Sequence, residues 1–230
     1  MAEGCLPTDV RAAAVACRVA GETLELLPGR ALYWPRANTL LVADLHLGKA
    51  GVFRQQGLPV PRGTTVADLA RLSELLNGTG ARRLVVLGDF GHAAATGEEA
   101  WLVEFANWRR THASLTVTVV RGNHDAARSP DPGLGLGLDW RTESPLEPPF
   151  VLAHEPGADP RGYVLAGHLH PVMTLRAGGD RLRFPVFWLR ADHAVLPAFG
   201  GFTGGASVTP GAGERAFAAG DTSVIACHGG

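Results

Sequence analysis

Histidine and acidic residues recur in five short clusters along the chain, and their types are those of metal ligands. Carboxylate, imidazole and amide donors suit Mn, Fe, Zn or Ni better than a thiolate site does. Six of the nine histidines lie in or beside these clusters, so the pattern predicts a metal centre. The clusters are Asp44-Leu45-His46, Gly88-Asp89, Gly122-Asn123-His124-Asp125, His154 and Gly167-His168-Leu169-His170, and His92 lies close to the second.

Each cluster ends or directly follows an apolar run that is typical of a buried strand. The carboxyl ends of strands in an open α/β sheet line one crevice, so we expect the five clusters to converge in space. The glycines before Asp89, Asn123 and His168 permit sharp turns and a close approach of the backbone. The runs cover residues 39–44, 83–89, 115–125, 149–156 and 162–171.

The remaining segments predict an α/β layered fold with a mixed sheet. Helical spacing of apolar residues occurs over 64–77, with Thr64 or Thr65 as the cap and Gly78 as the stop, and again over 98–112. Three short strands precede residue 37, and antiparallel strands follow Arg176. We predict loops over 128–149 and 199–213. No linker interrupts the chain, so residues 1–230 are predicted to form a single domain.

The composition excludes several classes of protein. The chain has 230 residues, a formal net charge of −1, 46% hydrophobic residues and 19% charged residues, which excludes a largely disordered chain. No apolar run is long enough to span a membrane, and the N-terminus does not read as a secretory signal. Three cysteines without a C-x-x-C pattern favour a reduced, cytoplasmic protein. The near-zero charge argues against a protein that holds nucleic acid by bulk electrostatics.

Two basic residues near the first cluster are candidate substrate contacts. Lys49 is the only lysine among 21 basic residues and lies three positions after His46, and Arg54 follows it. Both are candidates for binding a phosphate backbone, with solvated surface charge as the alternative. Among the aromatic residues, Phe53, Phe90, Trp140 and Tyr163 have the chemistry to stack on bases. We expect Phe53, Phe90 and Tyr163 to pack in the core, and Trp140 is the exception.

The order of the clusters resembles the calcineurin-like metallophosphoesterase superfamily over about residues 40–171. This resemblance implies a four-layer αββα sandwich, in which two mixed β-sheets are flanked by helices. It also implies two divalent metal ions. The implied ligands are Asp44, His46 and His170 for the first ion, Asn123, His154 and His168 for the second, and Asp89 as the bridge.

The same resemblance implies roles for residues that hold no metal. The two cations would activate a water between them as the hydroxide that attacks phosphorus, and His124 would act as the general acid for the leaving oxygen. Asp125 is expected to orient His124. His92 departs from the superfamily pattern, in which many members have Asp, and it is an additional candidate for contact with the substrate phosphate.

A narrower resemblance covers about 20 residues around the first cluster. The string ADLHLGK, followed by Phe53-Arg54, Gly57 and Pro59 through Pro61, is similar to the ligase-associated DNA-damage-response phosphoesterases. This similarity implies a manganese-dependent single-strand DNA endonuclease in DNA repair. It also implies functional association with a DNA ligase, a helicase and an exonuclease. The oligomeric state is left open, with a homodimer as one alternative.

Two other functions stay open at this point. The same metal centre serves small-molecule phosphodiesterases and phosphomonoesterases, because the ligands determine the chemistry and the surrounding loops determine the substrate. The chain could also be a binding scaffold that has lost its metals. All seven ligand positions are intact, which argues against the scaffold.

Overall fold

A computed structural model of the chain describes residues 6, 9–60, 63–92, 100–125, 135–177 and 180–227. Four features discussed above fall partly or wholly outside these residues: Cys5, Pro61, the first two positions of the helix predicted over 98–112, and the start of the loop predicted from Arg128. Within the described part of the chain, no helix combines the length and the hydropathy needed to cross a bilayer.

The first sheet has seven strands arranged in chain order. Its first four strands are antiparallel neighbours, and its last four run parallel. The strands are β1 (Val15–Val19), β2 (Glu22–Leu27), β3 (Ala31–Trp34), β4 (Thr39–Ala43), β5 (Arg83–Leu87), β6 (Thr116–Val120) and β7 (Leu138–Arg141), with a 3-10 turn at Pro35–Ala37.

The apolar runs of the parallel strands supply two cores at once. Leu40 and Val42 of β4 face the helical side of the sheet, whereas Leu41 and Ala43 face the second sheet. The same alternation holds in β5. Successive side chains of a strand point to opposite faces, so an uninterrupted apolar run is what a doubly covered strand requires. The prediction of strands buried on both faces is confirmed.

The second sheet has nine strands and packs against the first. Three pairs of neighbouring strands in this sheet are parallel, and the other five pairs are antiparallel. The predicted α/β fold with two mixed sheets is therefore confirmed. The strands are β8 (Leu146–Glu147), β9 (Phe150–Leu152), β10 (Tyr163–Ala166), β11 (Pro171–Ala177), β12 (Asp180–Leu189), β13 (His193–Val195), β14 (Ala206–Ser207), β15 (Arg215–Ala219) and β16 (Val224–Cys227).

Three α-helices are described: α1 (Lys49–Gln55), α2 (Thr64–Thr79) and α3 (Ala100–Thr111). Apolar residues of α2 and α3 join the core on the outer face of the first sheet. The predicted stop of α2 at Gly78 is wrong, because the helix continues to a left-handed cap at Gly80. A Cβ on Gly78 would lie 2.5 Å from Val10, so this glycine permits close packing rather than ending the helix.

Several short elements depart from the sequence predictions. The predicted loop over 128–149 contains β7 and β8, and the predicted loop over 199–213 contains β14. Helix α1 and strand β15 were not expected from the sequence. These elements are two to seven residues long, so their stability depends on pairing and packing rather than on local periodicity.

Candidate metal centre

The predicted ligands converge at the carboxyl end of the parallel strands. Backbone hydrogen bonds join the loops after β4 and β5, since the Asp44 amide donates to Gly88 O (3.2 Å) and the His46 amide donates to Asp89 O (2.8 Å). The second sheet reaches the same place, because the His168 amide donates to the Asp44 carboxylate at 2.9 Å. Loops from both sheets therefore form one site.

The backbone at the site adopts conformations that side chains other than glycine rarely take. Eight non-glycine residues among those described have positive φ, and five of them are predicted ligands. Such conformations cost on the order of 1–3 kcal/mol each and persist only where the surrounding structure imposes them. Because most of these conformations occur at predicted ligands, the surrounding structure holds the backbone there in an unfavourable conformation that fixes the positions of the ligand side chains. The five are Asp44 (φ 53°), His46 (47°), Asp89 (46°), His168 (70°) and His170 (46°).

Two glycines allow the loops to approach closely. A Cβ on Gly88, which has φ +79°, would lie 1.9 Å from His154 Nδ1. A Cβ on Gly122 would lie 2.3 Å from Asp89 Oδ1. Both contacts are too short for any side chain, so the expected role of these glycines in close approach is confirmed.

The first ligand group consists of Asp44, His46 and His170. One ligand atom from each of the three lies within 4.8 Å of the others. His170 Nε2 is 3.3 Å from His46 Nε2 and 3.6 Å from Asp44 Oδ1. Its other nitrogen, Nδ1, is 3.2 Å from Gly204 O, which orients the ring. This group is the one that the resemblance assigned to the first ion.

A second group surrounds His154. Its Nε2 atom is 2.8 Å from Asn123 Oδ1 and 3.0 Å from His168 Nδ1. The same Nε2 is 3.6 Å from Asp89 Oδ1, and Nδ1 of this ring is 3.8 Å from Asp44 Oδ1. Asp44, Asp89 and His154 also lie within mutual ligand distance. The predicted members of the second site are therefore brought together.

Asp89 lies between the two groups. Its Oδ1 atom faces His154, while its Oδ2 atom is 3.7 Å from His46 Nε2. The carboxylate is almost wholly buried and also accepts a hydrogen bond from the His124 amide at 3.0 Å. One oxygen toward each group is the geometry that a bridging ligand requires.

The charge and burial of the site fit divalent cations. Two carboxylates, Asp44 and Asp89, are buried side by side among imidazoles, which is unfavourable without positive charge nearby. Burial first, and then the neighbouring charge of Lys49, lower the pKa of His46 to about 2. This imidazole is therefore neutral and offers a lone pair at neutral pH. Buried carboxylates with neutral imidazoles and an amide oxygen form a suitable donor set for such ions.

His124 and His92 lie at the open side of the centre. The His124 side chain is 46% exposed, and its Nε2 is 3.9 Å from Asp89 Oδ2. The His92 ring lies 5.1 Å from that of His124 and 5.5 Å from that of His46. Both imidazoles are therefore placed where a molecule reaching the centre from solvent would meet them.

Asp125 lies beneath the site loops. Its buried carboxylate accepts hydrogen bonds from the amides of Phe90 (3.2 Å), Gly91 (3.2 Å) and Gly122 (2.9 Å). Burial raises the pKa of Asp125, and these three bonds oppose that rise. These contacts indicate that the carboxylate holds the loops after β5 and β6 together.

The two basic candidates lie in different surroundings. Lys49 is half-buried beside the centre, where burial lowers its pKa and the charges of Asp89 and Asp44 oppose that change. Arg54 is exposed on α1, where its charge acts on Glu104 of α3. The structure therefore brings Lys49 to the centre and places Arg54 toward α3.

Two further arginines near the centre were not singled out in the sequence. Arg30 and Arg183 line a cavity of about 210 Å³ that also includes His170. Arg30 lies in the β2–β3 turn and Arg183 in β12, far from the ligand clusters in sequence. No local signal points to them, because they come to line one cavity with His170 only in the folded chain.

Comparisons with known proteins agree with this geometry. The family model described as calcineurin-like phosphoesterase matches residues 37–216, and the chain belongs to that family. The chain is thus a metallophosphoesterase, an enzyme that hydrolyses phosphate esters, as its clusters predicted.

Solved structures add one strong likeness. Nuclease MPE from Pseudomonas putida is 40% identical, covers 93% of this chain and 100% of its own, and has a TM-score of 0.81. AQ665 from Aquifex aeolicus, a protein of unknown function, is 18% identical over 57% of this chain and 78% of its own (TM-score 0.41). The phosphoesterase Yfce from E. coli is 16% identical over 81% and 96% (TM-score 0.42). No curated protein matches the chain significantly.

Proposed function

We propose that this chain is a two-metal phosphodiesterase that cleaves single-stranded DNA internally, with Mn²⁺ as the metal. The observation that carries the proposal is the position of Asp89, with one oxygen toward His46 and the other toward His154. The likeness to nuclease MPE supports nucleic acid as the substrate class.

The chain's own residues hold and orient the reacting groups. Asp44, His46 and His170 would hold one cation, Asn123, His154 and His168 the other, and Asp89 both. Two such ions supply Lewis acidity that activates water and neutralises charge on the phosphate oxygens. Asp125 acts as a positioning residue, because its carboxylate holds the amide of Phe90, directly after Asp89, and the amide of Gly122 in the loop after β6.

His124 is proposed as the general acid. Its ring is half-exposed beside Asp89, so it can reach an oxygen that leaves the phosphorus on the solvent side. Its backbone amide is fixed by Asp89, which ties the position of the imidazole to the metal ligands. An imidazole suits proton transfer near neutral pH.

Substrate contacts are proposed on two sides of the centre. Lys49 and His92 face it from the α1 side, and Arg54 extends that basic surface toward α3. Arg30 and Arg183 line the cavity beside His170. This arrangement offers cations on both sides of a phosphodiester, as a strand that continues past the scissile bond requires.

The cellular setting follows from the same proposal. A role in DNA repair in the cytoplasm, with functional links to a DNA ligase, a helicase and an exonuclease, rests on the resemblance around Lys49. A ligase gene and a helicase gene beside this gene would support that assignment, and their absence would remove its main argument.

A direct assay separates the proposed activity from its alternatives. The purified protein is incubated with Mn²⁺ and either covalently closed single-stranded DNA circles or mononucleotides. We expect linear and shorter DNA products from the circles, because only an endonuclease can open them. Intact circles with release of phosphate from mononucleotides would contradict the nuclease and favour a small-molecule phosphomonoesterase.

A further inference from the structure

A row of aromatic rings leads away from the metal centre toward solvent. The His124 ring lies 5.1 Å from that of His92, which stacks with Phe53 at 6.4 Å and an interplanar angle of 15°. Phe53 in turn meets Phe202 edge to face at 5.4 Å. Phe53 is thus part of this row rather than of the core, while Trp140 packs on Phe90 in the core.

Phe202 ends the row with 37% of its surface exposed. It is one of a few large apolar side chains among the described residues that stay open to solvent, and it is the aromatic one. It also lines a small pocket with His46, Lys49, Thr64 and Thr65, and Asp68 belongs to the same lining. An exposed aromatic ring beside the cationic Lys49 complements the base and phosphate of a nucleotide.

The loop that carries Phe202 is held firmly. Its Gly201 amide donates to both oxygens of the buried Asp68 carboxylate at 3.0 Å. Arg71 donates to Asp68 at 2.8 Å and to Phe199 O, and its guanidinium lies over the Phe199 ring. Anchors before and after Phe202, including the contact of Gly204 O with His170, present its ring at a fixed position.

We propose that Phe202, supported by Phe53, is a stacking surface for the base of a nucleotide next to the scissile phosphate. This inference rests on the proposed function and deepens it by naming what recognises a single strand. In a duplex the faces of the bases are already stacked on their neighbours, whereas an unpaired base can place its face on an aromatic ring. The surface therefore favours single-stranded over double-stranded substrate.

The test compares short oligothymidylate with an oligonucleotide of equal length whose sugars near the cleavage site carry no base. Phe202→Leu keeps an apolar side chain but removes the ring. Since base stacking on an aromatic ring contributes about 1–3 kcal/mol, we expect its KM for oligothymidylate to rise roughly 5- to 150-fold. The rise on the abasic oligonucleotide is smaller, so the KM ratio of the two substrates moves toward one.

Two further variants serve as controls. Phe202→Trp retains a ring and is expected to preserve the KM ratio. Ile225→Ala removes an apolar side chain that is 59% exposed on β16, and it is expected to behave as the wild type does. Equal losses on both oligonucleotides in Phe202→Leu, or no loss on either, would overturn the stacking surface.

Binding without cleavage keeps this inference separate from the proposed function. Anisotropy of labelled oligothymidylate in the presence of EDTA reports affinity when no hydrolysis can occur. If the wild type does not cleave DNA but binds it in a Phe202-dependent way, the nuclease proposal falls and the stacking surface stands. If the wild type cleaves DNA and Phe202→Leu matches it in both assays, the nuclease proposal stands and the stacking surface falls. Failure both to bind and to cleave would overturn both.

Discussion

At the scale of single residues, Asp89 lies between the two ligand groups of the candidate metal centre. Its oxygens face His46 on one side and His154 on the other. Asp89→Asn keeps the shape and one acceptor oxygen but removes the charge. We expect this variant to lose bound metal and at least about 10²-fold in activity, because it removes electrostatic stabilisation at the reacting centre. The metal content and the single-strand cleavage rate of the purified variant test this prediction. Full metal content would contradict the role of Asp89 as a bridging ligand.

His124 is expected to behave differently from a ligand. His124→Ala leaves both ligand groups intact, so metal content stays at the wild-type level. Turnover on DNA falls by about 10²- to 10⁴-fold, the usual contribution of a general acid. The loss is smallest on a nitrophenyl diester, whose leaving group needs no proton. If this variant also lost its metal, the role as an acid would be wrong.

At the scale of elements, the site depends on the close approach of the loops that follow β5 and β6. Gly122→Ala places a Cβ 2.3 Å from Asp89 Oδ1, so the carboxylate must move. We expect the metal content to fall toward that of Asp89→Asn. Gly157→Ala is the matched control, because nothing lies within 4 Å of a Cβ there. Normal metal content in Gly122→Ala would show that the two loops can accept the extra Cβ without displacing the Asp89 carboxylate, which would contradict this prediction.

The sequence could predict those elements whose periodicity is strong. The apolar runs before Asp44 and Asp89 predicted β4 and β5, because strands buried on both faces have no polar side. From these runs the convergence of the ligand clusters followed. Helix α2 was predicted in place, but its N-cap is Gly63 rather than Thr64 or Thr65, and its end was assigned two residues early, at Gly78.

Other features depend on tertiary contacts that no local pattern encodes. Strand β7 pairs with the edge of β6, and α1 is too short to show helical periodicity. Arg30 lines a cavity with His170 from a turn, and Phe202 lines a pocket with His46 from a glycine-rich loop, so their types and spacing carry no signal. The roles assigned to individual site residues stay predictions.

At the scale of the whole molecule, we expect stability to depend on bound cations, because Asp44 and Asp89 bury two carboxylates in the candidate site. A ligand that binds only the folded state at 100 times its Kd stabilises it by about 2.7 kcal/mol. For a chain of this length we therefore expect saturating Mn²⁺ to raise Tm by about 5 to 10 °C relative to EDTA. Differential scanning calorimetry measures the shift. An equal shift in Asp89→Asn would mean that the ions bind elsewhere.

The net charge of −1 also bears on how DNA is held. If Lys49, Arg30 and Arg183 are the main phosphate contacts, the logarithm of the affinity for single strands falls with the logarithm of the salt concentration with a slope of about −2. Lys49→Met and Arg183→Met should each make that slope shallower by about 0.7. Anisotropy over a salt series tests this. A much steeper slope would indicate a broad basic surface instead of a few local contacts.

Anomalous diffraction from crystals soaked in Mn²⁺ tests whether Asp89 bridges two metal ions. We expect two anomalous peaks, one on either side of the Asp89 carboxylate. One lies among Asp44, His46 and His170, and the other among Asn123, His154 and His168. A single peak, or a second peak held by Asp44 and His154 without Asn123 and His168, would contradict it.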